Sequence, residues 1–142
     1  MAQETEHFTG PIPAQGEFCW TEIACTDLAA CKSFYENVFG WQVSDAKSDE
    51  GFPYLEFSSS GVAEPDGGMY GLDPKFFGGH APPPHIAIYV AVDDVDSAAE
   101  QAVKLGGSIM RPPTDIQGVG RMCVISDPAG APVSLVTLIH HS

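Results

Sequence analysis

The sequence is poor in positive charge. Of its 142 residues only 6 are lysine or arginine, against 19 aspartate or glutamate, and the formal net charge is −13. Such a surface repels the nucleic-acid backbone and anionic lipid headgroups. We therefore expect no nucleic acid and no membrane among the partners. A neutral or cationic small-molecule ligand fits this charge, although the same charge is also typical of acidic cytosolic proteins in general.

Long hydrophobic runs are absent as well. No apolar stretch approaches the roughly 18 residues that span a bilayer. Residues 1–17 lack the basic and apolar regions of a secretory signal. We therefore expect a cytoplasmic protein. The length fits a single domain covering residues 1–142.

Cysteine is scarce and irregularly spaced. The four cysteines show no CxxC pair and no repeated Cys/His spacing, which argues against a zinc site or a disulfide framework. Cys19 and Cys25 fall on one predicted strand, and Cys31 falls on the following predicted helix. We expect reduced, half-buried thiols that pack as small apolar residues. A reactive thiol is the alternative.

What the sequence does contain is a regular order of strands and helices. The run FCWTEIACTD (18–27) is typical of a strand and ends at Asp27, a good helix N-cap. Apolar residues then recur at helical spacing until Gly40, which favours a left-handed stop. Three further strands are predicted, at residues 41–46, 53–59 and 62–71.

The same order returns after a linker at residues 72–84. The strand HIAIYVAVDD (85–94) ends at a second N-cap, Asp94, and the helix that follows stops at Gly106-Gly107. Again three strands follow, at residues 108–112, 120–127 and 132–138.

The two halves share one register. Asp27 stands 13 residues before Gly40, Asp94 stands 13 residues before Gly107, and the two aspartates are 67 residues apart. This repeat predicts two βαβββ units, at about residues 18–71 and 85–138, in an α+β fold. We expect paired curved mixed sheets around a cavity, because ligand pockets favour such internal interfaces.

Three segments carry a family resemblance. TDLAACKSFYENVFGW (26–41), VDDVDSAAEQAVKLGG (92–107) and GRMCVISDPAGAPVSLV (120–136) resemble the helices and the final hairpin of the glyoxalase/bleomycin resistance protein/dioxygenase (vicinal oxygen chelate) superfamily. The resemblance extends from Phe18 to Leu138. It is specific for the fold and weak for the reaction, because one fold hosts many chemistries.

The first helix of this motif is rich in aromatic residues. Phe34 and Tyr35 lie one turn before Val38 and Phe39. Together they predict a wide apolar face that packs on the sheet. We therefore assign these residues to the core and not to a site.

The resemblance also implies where a metal would be bound. Metal-dependent members use a His, Gln or Glu seven residues before each capping aspartate and a Glu four residues after the D-P-x-G glycine. Here those positions hold Trp20, Ala87 and Ser134, and the region Gly67–Gly71 contains no carboxylate. We therefore predict no metal or other cofactor, which argues against glyoxalase I-type and extradiol dioxygenase reactions. A displaced divalent-metal site that uses Glu22, Glu56 or His85 is the alternative.

Strand alternation indicates which residues line the cavity instead. Because strand side chains repeat with period two, Trp20 and Glu22 share one face of the first strand. By the same rule we expect Tyr89, Met122 and Ser134 to face inward from the second unit. We predict that Trp20, Tyr89, Met122 and Ser134 bind a ligand. Core packing is the alternative for Trp20 and Tyr89.

Glu22 is the candidate catalytic residue. A carboxylate beside an indole and small residues loses hydration, which moves it toward the range of a general base. The alternative is a hydrogen-bonded strand residue at the cavity mouth.

The sequence leaves several functions open. Resemblance to the drug-sequestering members implies a metal-free small-molecule-binding protein that forms a homodimer. A lyase or isomerase is the second hypothesis, either metal-free with Glu22 as base or with a rearranged metal site. An accessory domain acting through its acidic surface ranks third. The linker, with Phe76-Phe77-Gly78-Gly79, either covers the pocket as a lid or packs on the sheet edge.

Overall fold

Two helices and eight strands make up the regular structure. The computed structural model describes residues 13–45, 53–59 and 64–139. Within these ranges the order βαβββ occurs twice, which confirms the α+β class and the repeat. No helix among the described residues is long and apolar enough to cross a membrane. The elements are β1 Phe18–Cys25, α1 Leu28–Phe39, β2 Gln42–Asp45, β3 Tyr54–Ser58, β4 Gly67–Gly71, a 3-10 helix Pro74–Phe76, β5 His85–Ala91, α2 Val95–Lys104, β6 Ser108–Ile116, β7 Gly120–Ser126 and β8 Pro132–Leu138.

The chain divides into two compact units. The first unit is Trp20–Ala87, and the second comprises the described residues of Met1–Cys19 and Ile88–Ser142. In the first unit the strand order is β2-β3-β4-β1, with β4 and β1 parallel and the other neighbours antiparallel. In the second unit the order is β5-β8-β7-β6, with β5 and β8 parallel and the rest antiparallel. The repeat in sequence is therefore a repeat in topology.

Both helices begin and end as the sequence predicts. The carboxylate of Asp27 accepts a hydrogen bond from the Ala30 amide at 3.1 Å, and α1 ends at Gly40 in the left-handed conformation (φ 74°). Asp94 caps α2 in the same way, and Gly106 follows the helix with φ 100°. The caps fix where each chain segment leaves its strand and turns onto the sheet.

The core of the first unit lies between α1 and one face of its sheet. Ile23, Cys25, Phe57 and Met69 form the buried cluster of the sheet. From α1 and the segment after it, this cluster is contacted by Leu28, Cys31, Tyr35 and Trp41.

The prediction that the whole aromatic face of α1 packs on the sheet is wrong. Phe34, Val38 and Phe39 are 57%, 54% and 57% exposed. The helix rests on the sheet through a narrower stripe, because Trp41 stacks between Tyr35 and the core at centroid distances of 5.2 and 4.5 Å. Phe39 packs against the two rings of this aromatic column, 5.9 Å from Tyr35 and 5.2 Å from Trp41 between ring centroids.

The second unit has a core on each side of its sheet. Cys123 packs under α2 against Val95 and Ala99. On the opposite face Met122 packs with Val136 and Leu138, as strand alternation predicts.

Strand ends differ from the predictions at several places. The largest difference is in β6. The sequence predicts that this strand ends at residue 112, but it continues to Ile116 through Pro112 and Pro113. Prolines are tolerated there because β6 is an edge strand with register shifts along its pairing to β7. The strand predicted at 62–71 is shorter, since β4 begins at Gly67 and residues 62 and 63 lie outside the described residues.

Candidate functional site

The first unit has a polar face on the side of its sheet opposite α1. Ile23 and Cys25 point toward α1 and its core. Trp20, Glu22 and Ala24 alternate with them along β1 and so lie on the other face. Trp20 is 8% exposed, and Glu22 is half-buried.

A hydrogen-bond chain crosses this polar face. The indole Nε1 of Trp20 donates to the Tyr54 hydroxyl at 3.1 Å, and that hydroxyl donates to Oε2 of Glu22 at 2.7 Å. Tyr54 lies on β3, which is separated from β1 by β4. The tyrosine ring therefore spans the width of one strand and ties Trp20 to Glu22. This arrangement holds the carboxylate of Glu22 in one orientation.

Gly68 makes this crossing possible. In the strand register, Gly68 stands beside Glu22 of β1 on one side and beside Glu56 of β3 on the other. A Cβ at residue 68 would overlap the hydroxyl and ring of Tyr54. Since no side chain occupies that point, the phenol can pass over the backbone to reach Glu22.

Further aromatic rings extend the polar face. Tyr70 stacks with Tyr54 at 6.5 Å between ring centroids, and Phe77 stacks with Tyr70 at 6.5 Å. The linker is thus attached to the polar face through Phe77, whereas the side chain of Phe76 lies outside the described residues. A ligand on this face meets aromatic rings together with carboxylates.

The polar face carries two carboxylates. Glu22 and Glu56 are both half-buried and both lie beside Gly68, on the two neighbouring strands. Two strand spacings place their backbones roughly 10 Å apart. A cationic group between them is attracted by both carboxylates.

The other predicted site residues lie in the second unit. Ser134 on β8 has Tyr89 of β5 and Val124 of β7 as its register partners, so these three residues share a face. Met122 lies on the same side of β7, and Met122 and Ser134 are each 5% exposed. Met122 packs in the core cluster of this face. Tyr89, Met122 and Ser134 thus share a face, as alternation predicts, and their role in ligand binding stays a prediction.

No sequence pattern singles out Tyr54 as a site residue. Its position on β3 opposite Tyr70 depends on the pairing register, which no short sequence pattern sets. The only sequence signal is that Tyr54 stands two residues before Glu56, which places both side chains on the same face of the strand.

The residues at the family's metal-ligand positions do not fit a metal. The Trp20 indole nitrogen is a donor, and it already bonds Tyr54. Ala87 has no donor atom, and the hydroxyl of Ser134 is a poor ligand for a hard divalent cation. Over residues 13–45, 53–59 and 64–139, no group of three or more His, Cys, Asp or Glu side chains is arranged to hold an ion.

His85, a candidate for a displaced metal site, is exposed. Its Nδ1 lies 2.8 Å from the carbonyl oxygen of Pro83. The local chain therefore engages one ring nitrogen.

Two curated relatives match most of this chain. CFP32 of Mycobacterium tuberculosis, which carries the name glyoxylase, is 35% identical over 128 residues, covering 85% of this chain and 45% of CFP32. The anthracycline biosynthesis protein DnrV of Streptomyces peucetius is 30% identical over 125 residues, covering 83% of this chain and 46% of DnrV. The chain thus spans about half the length of these relatives.

Solved structures share the fold. Methylmalonyl-CoA epimerase of M. tuberculosis aligns with a TM-score of 0.57 at 20% identity, covering 87% of this chain and 88% of the epimerase. A hypothetical protein from Bacillus halodurans aligns with a TM-score of 0.64 at 12% identity, covering 91% and 99%. At such identities the likeness concerns the fold alone.

The sequence model of one family matches the greater part of the chain. It is described as the Glyoxalase/Bleomycin resistance protein/Dioxygenase superfamily, and the match runs over residues 18–135. With the βαβββ repeat and the two relatives above, this match is decisive: the chain belongs to the glyoxalase/bleomycin resistance protein/dioxygenase superfamily.

Proposed function

We propose that this protein binds a cationic aromatic small molecule on the polar face of its first unit, without the classical metal site of its superfamily. The observation that carries the proposal is the pair of hydrogen bonds by which Tyr54 joins Trp20 to Glu22. A fixed carboxylate bordered by aromatic rings is the arrangement that recognises organic cations.

The charge of the whole chain supports the same ligand class. A net charge of −13 raises the local concentration of cations at the surface. At the polar face the half-buried position of Glu22 and Glu56 reduces screening by solvent. A charged amine would therefore gain more binding free energy here than at an exposed acidic patch.

The proposal does not use a metal. The side chains of Trp20 and Ala87 offer no lone pair to a divalent cation, and the Ser134 hydroxyl is a poor ligand for one. Tyr89, Met122 and Ser134 remain candidate ligand-binding residues of the second unit.

Binding of an anthracycline amine tests the proposal. Daunorubicin has a planar aromatic ring system and one ammonium group, and it is fluorescent. We expect saturable binding that weakens ten- to a hundredfold in Glu22→Gln, because a charge-assisted contact contributes about 1.5–3 kcal/mol. Fluorescence titration measures both affinities.

Glu36→Gln is the matched control. It removes the same charge from α1, on the opposite side of the sheet, where Glu36 pairs with Lys32. We expect its affinity to equal that of the unaltered chain. Equal weakening in both variants, or equal affinity for the uncharged aglycone, would contradict recognition of the cation by Glu22.

A second candidate function is metal-free proton transfer. It is favoured by the 2.7 Å contact between the Tyr54 phenol and the Glu22 carboxylate, which places an acid beside a base. Methylmalonyl-CoA, the substrate named for the epimerase of similar fold, is the first compound to test. Loss of its α-proton signal in D₂O, abolished in Glu22→Gln and unchanged by a chelator, is the result expected of this candidate. One tightly bound divalent ion per chain, found by elemental analysis, would instead indicate a rearranged metal site.

We further propose that the chain forms a homodimer. The helix α1 exposes Phe34, Val38 and Phe39. Adjacent exposed side chains of this size are typical of interaction surfaces. Light scattering on the full chain is expected to give twice the monomer mass of 15.1 kDa, and a monomer at micromolar concentration would refute this expectation.

A further inference from the structure

An open groove lies beside the start of α1 in the first unit. It has a volume of about 310 Å³ and is formed where β1 ends, α1 begins and β5 begins. Its walls include Cys25, Cys31, Tyr35, His85 and Ile86. The proposed ligand site uses none of these side chains.

Two thiols meet in this groove. Cys25 is the last residue of β1 and is 2% exposed, whereas Cys31 in the first turns of α1 is half-buried. Cys31 packs against the buried cluster that contains Cys25, and both thiols line the groove. The Cys31 amide also bonds the Asp27 carbonyl at 3.0 Å, so a capped helix and a strand end hold the pair in place.

We propose that Cys25 and Cys31 form a reversible intramolecular disulfide when a hydroperoxide enters the groove. This inference is independent of the proposed function. It identifies a modification site in two cysteines that line one groove and share one core cluster.

The reaction has two balanced steps. The Cys31 thiolate attacks one peroxide oxygen, the O–O bond breaks, and Cys31 sulfenic acid and an alcohol (water from hydrogen peroxide) are formed after protonation. Cys25 then attacks the sulfenic sulfur, the S–O bond breaks, and water leaves with the Cys25 proton. Two thiols are oxidised by two electrons, and one hydroperoxide is reduced by two.

The order of the steps follows from burial. Desolvation, together with the Cys31 contact and the Asp27 carboxylate, raises the pKa of Cys25 to about 12. The more exposed Cys31 is therefore the thiol that meets the oxidant first.

The two remaining thiols lie in the second unit. Burial and the Glu17 carboxylate raise the pKa of Cys19 to about 11, and Cys123 is 0% exposed. Neither lines the groove.

Peptide mass spectrometry of the full folded chain after hydrogen peroxide treatment tests the inference. We expect a Cys25–Cys31 cross-link with loss of two hydrogen atoms, and dithiothreitol is expected to reverse it. In Cys25→Ala the reaction is expected to stop at a Cys31 sulfenic acid that dimedone traps. Cys19→Ser is the matched control and is expected to form the cross-link at the unaltered rate.

Two results would overturn the inference. One is oxidation of Cys31 to the sulfinic acid in the unaltered chain without a cross-link. The other is a cross-link that appears only between two chains. Should Cys25→Ala fail to fold, as its circular dichroism would show, Cys31→Ser changes the more exposed partner and is expected to leave Cys25 unoxidised by the same dose of peroxide.

Discussion

Replacement of Gly67 by alanine is expected to lower the free energy of unfolding by about 3 kcal/mol, because it overpacks the core. A Cβ at this position would overlap the Phe57 ring and lie 2.5 Å from the Thr21 carbonyl oxygen. Phe57 is 2% exposed and belongs to the core cluster, so its ring has little room to move. The Thr21 oxygen is backbone and can shift only with β1.

Thermal unfolding measures this effect. For a chain of this size, a loss of about 3 kcal/mol corresponds to a fall in Tm of roughly 10 °C. Gly71→Ala on the same strand is the matched control, since no described atom beyond its own residue and its two chain neighbours lies within 4 Å of its Cβ position. We expect Gly71→Ala to shift Tm by less than about 2 °C. Similar Tm values for the two variants would show that the core adapts to the extra methyl group.

Replacement of Gly68 by alanine is expected to break the hydrogen bonds of the polar face and to leave the packing of the core unchanged. The new methyl group would occupy the position of the Tyr54 hydroxyl, so the ring must turn away from Glu22 and Trp20. Two hydrogen bonds are lost, and stability falls by about 2 kcal/mol. Because Glu22 loses its fixed orientation, daunorubicin binding is expected to weaken at least tenfold.

The indole N–H resonance of Trp20 reports this change without a ligand. The chain has two tryptophans, so Trp41→Phe assigns the two indole signals. Tyr54→Phe removes the acceptor of the 3.1 Å bond and gives the reference shift. We expect Gly68→Ala to reproduce that shift and Gly71→Ala to leave the signal in place. An unmoved Trp20 signal in Gly68→Ala would mean that Tyr54 keeps its position, and the proposed role of Gly68 would be abandoned.

The two glycines of β4 therefore make room for two different aromatic residues, one on each face of the sheet. Gly67 admits Phe57 toward α1, and Gly68 admits Tyr54 across the opposite face. Both aromatic residues come from β3, where Tyr54 is the first residue and Phe57 follows three positions later. Because β4 has no side chain at these two consecutive positions, one ring can pack in the core and the other can reach the candidate site.

Much of the fold follows from local sequence. Asp27, Gly40 and Asp94 specify helix ends through short-range hydrogen bonds and a positive φ, and these act in the same way wherever the helix lies. The 67-residue repeat is likewise visible without any tertiary information. Strand alternation separated the α1-facing residues of β1 from Trp20 and Glu22.

Other features depended on packing between distant segments. Phe34 is exposed because Trp41 lies in the aromatic column with Tyr35, and helical spacing alone does not reveal which of two apolar stripes meets the sheet. β6 continues through Pro112 because it is an edge strand, and edge position is a property of the sheet and not of the segment.

In the candidate site, too, some features follow from local sequence and others only from tertiary structure. The sequence by itself predicted that Trp20 and Glu22 share a face, and from the residues at the family's metal-ligand positions it predicted that no metal is bound. The tertiary structure alone decided that Tyr54 joins them across Gly68, because the pairing register of β1, β3 and β4 sets which residues meet. Tyr54 lies 34 positions from Trp20 and 32 positions from Glu22 in the chain, and local propensity does not encode contacts over such separations.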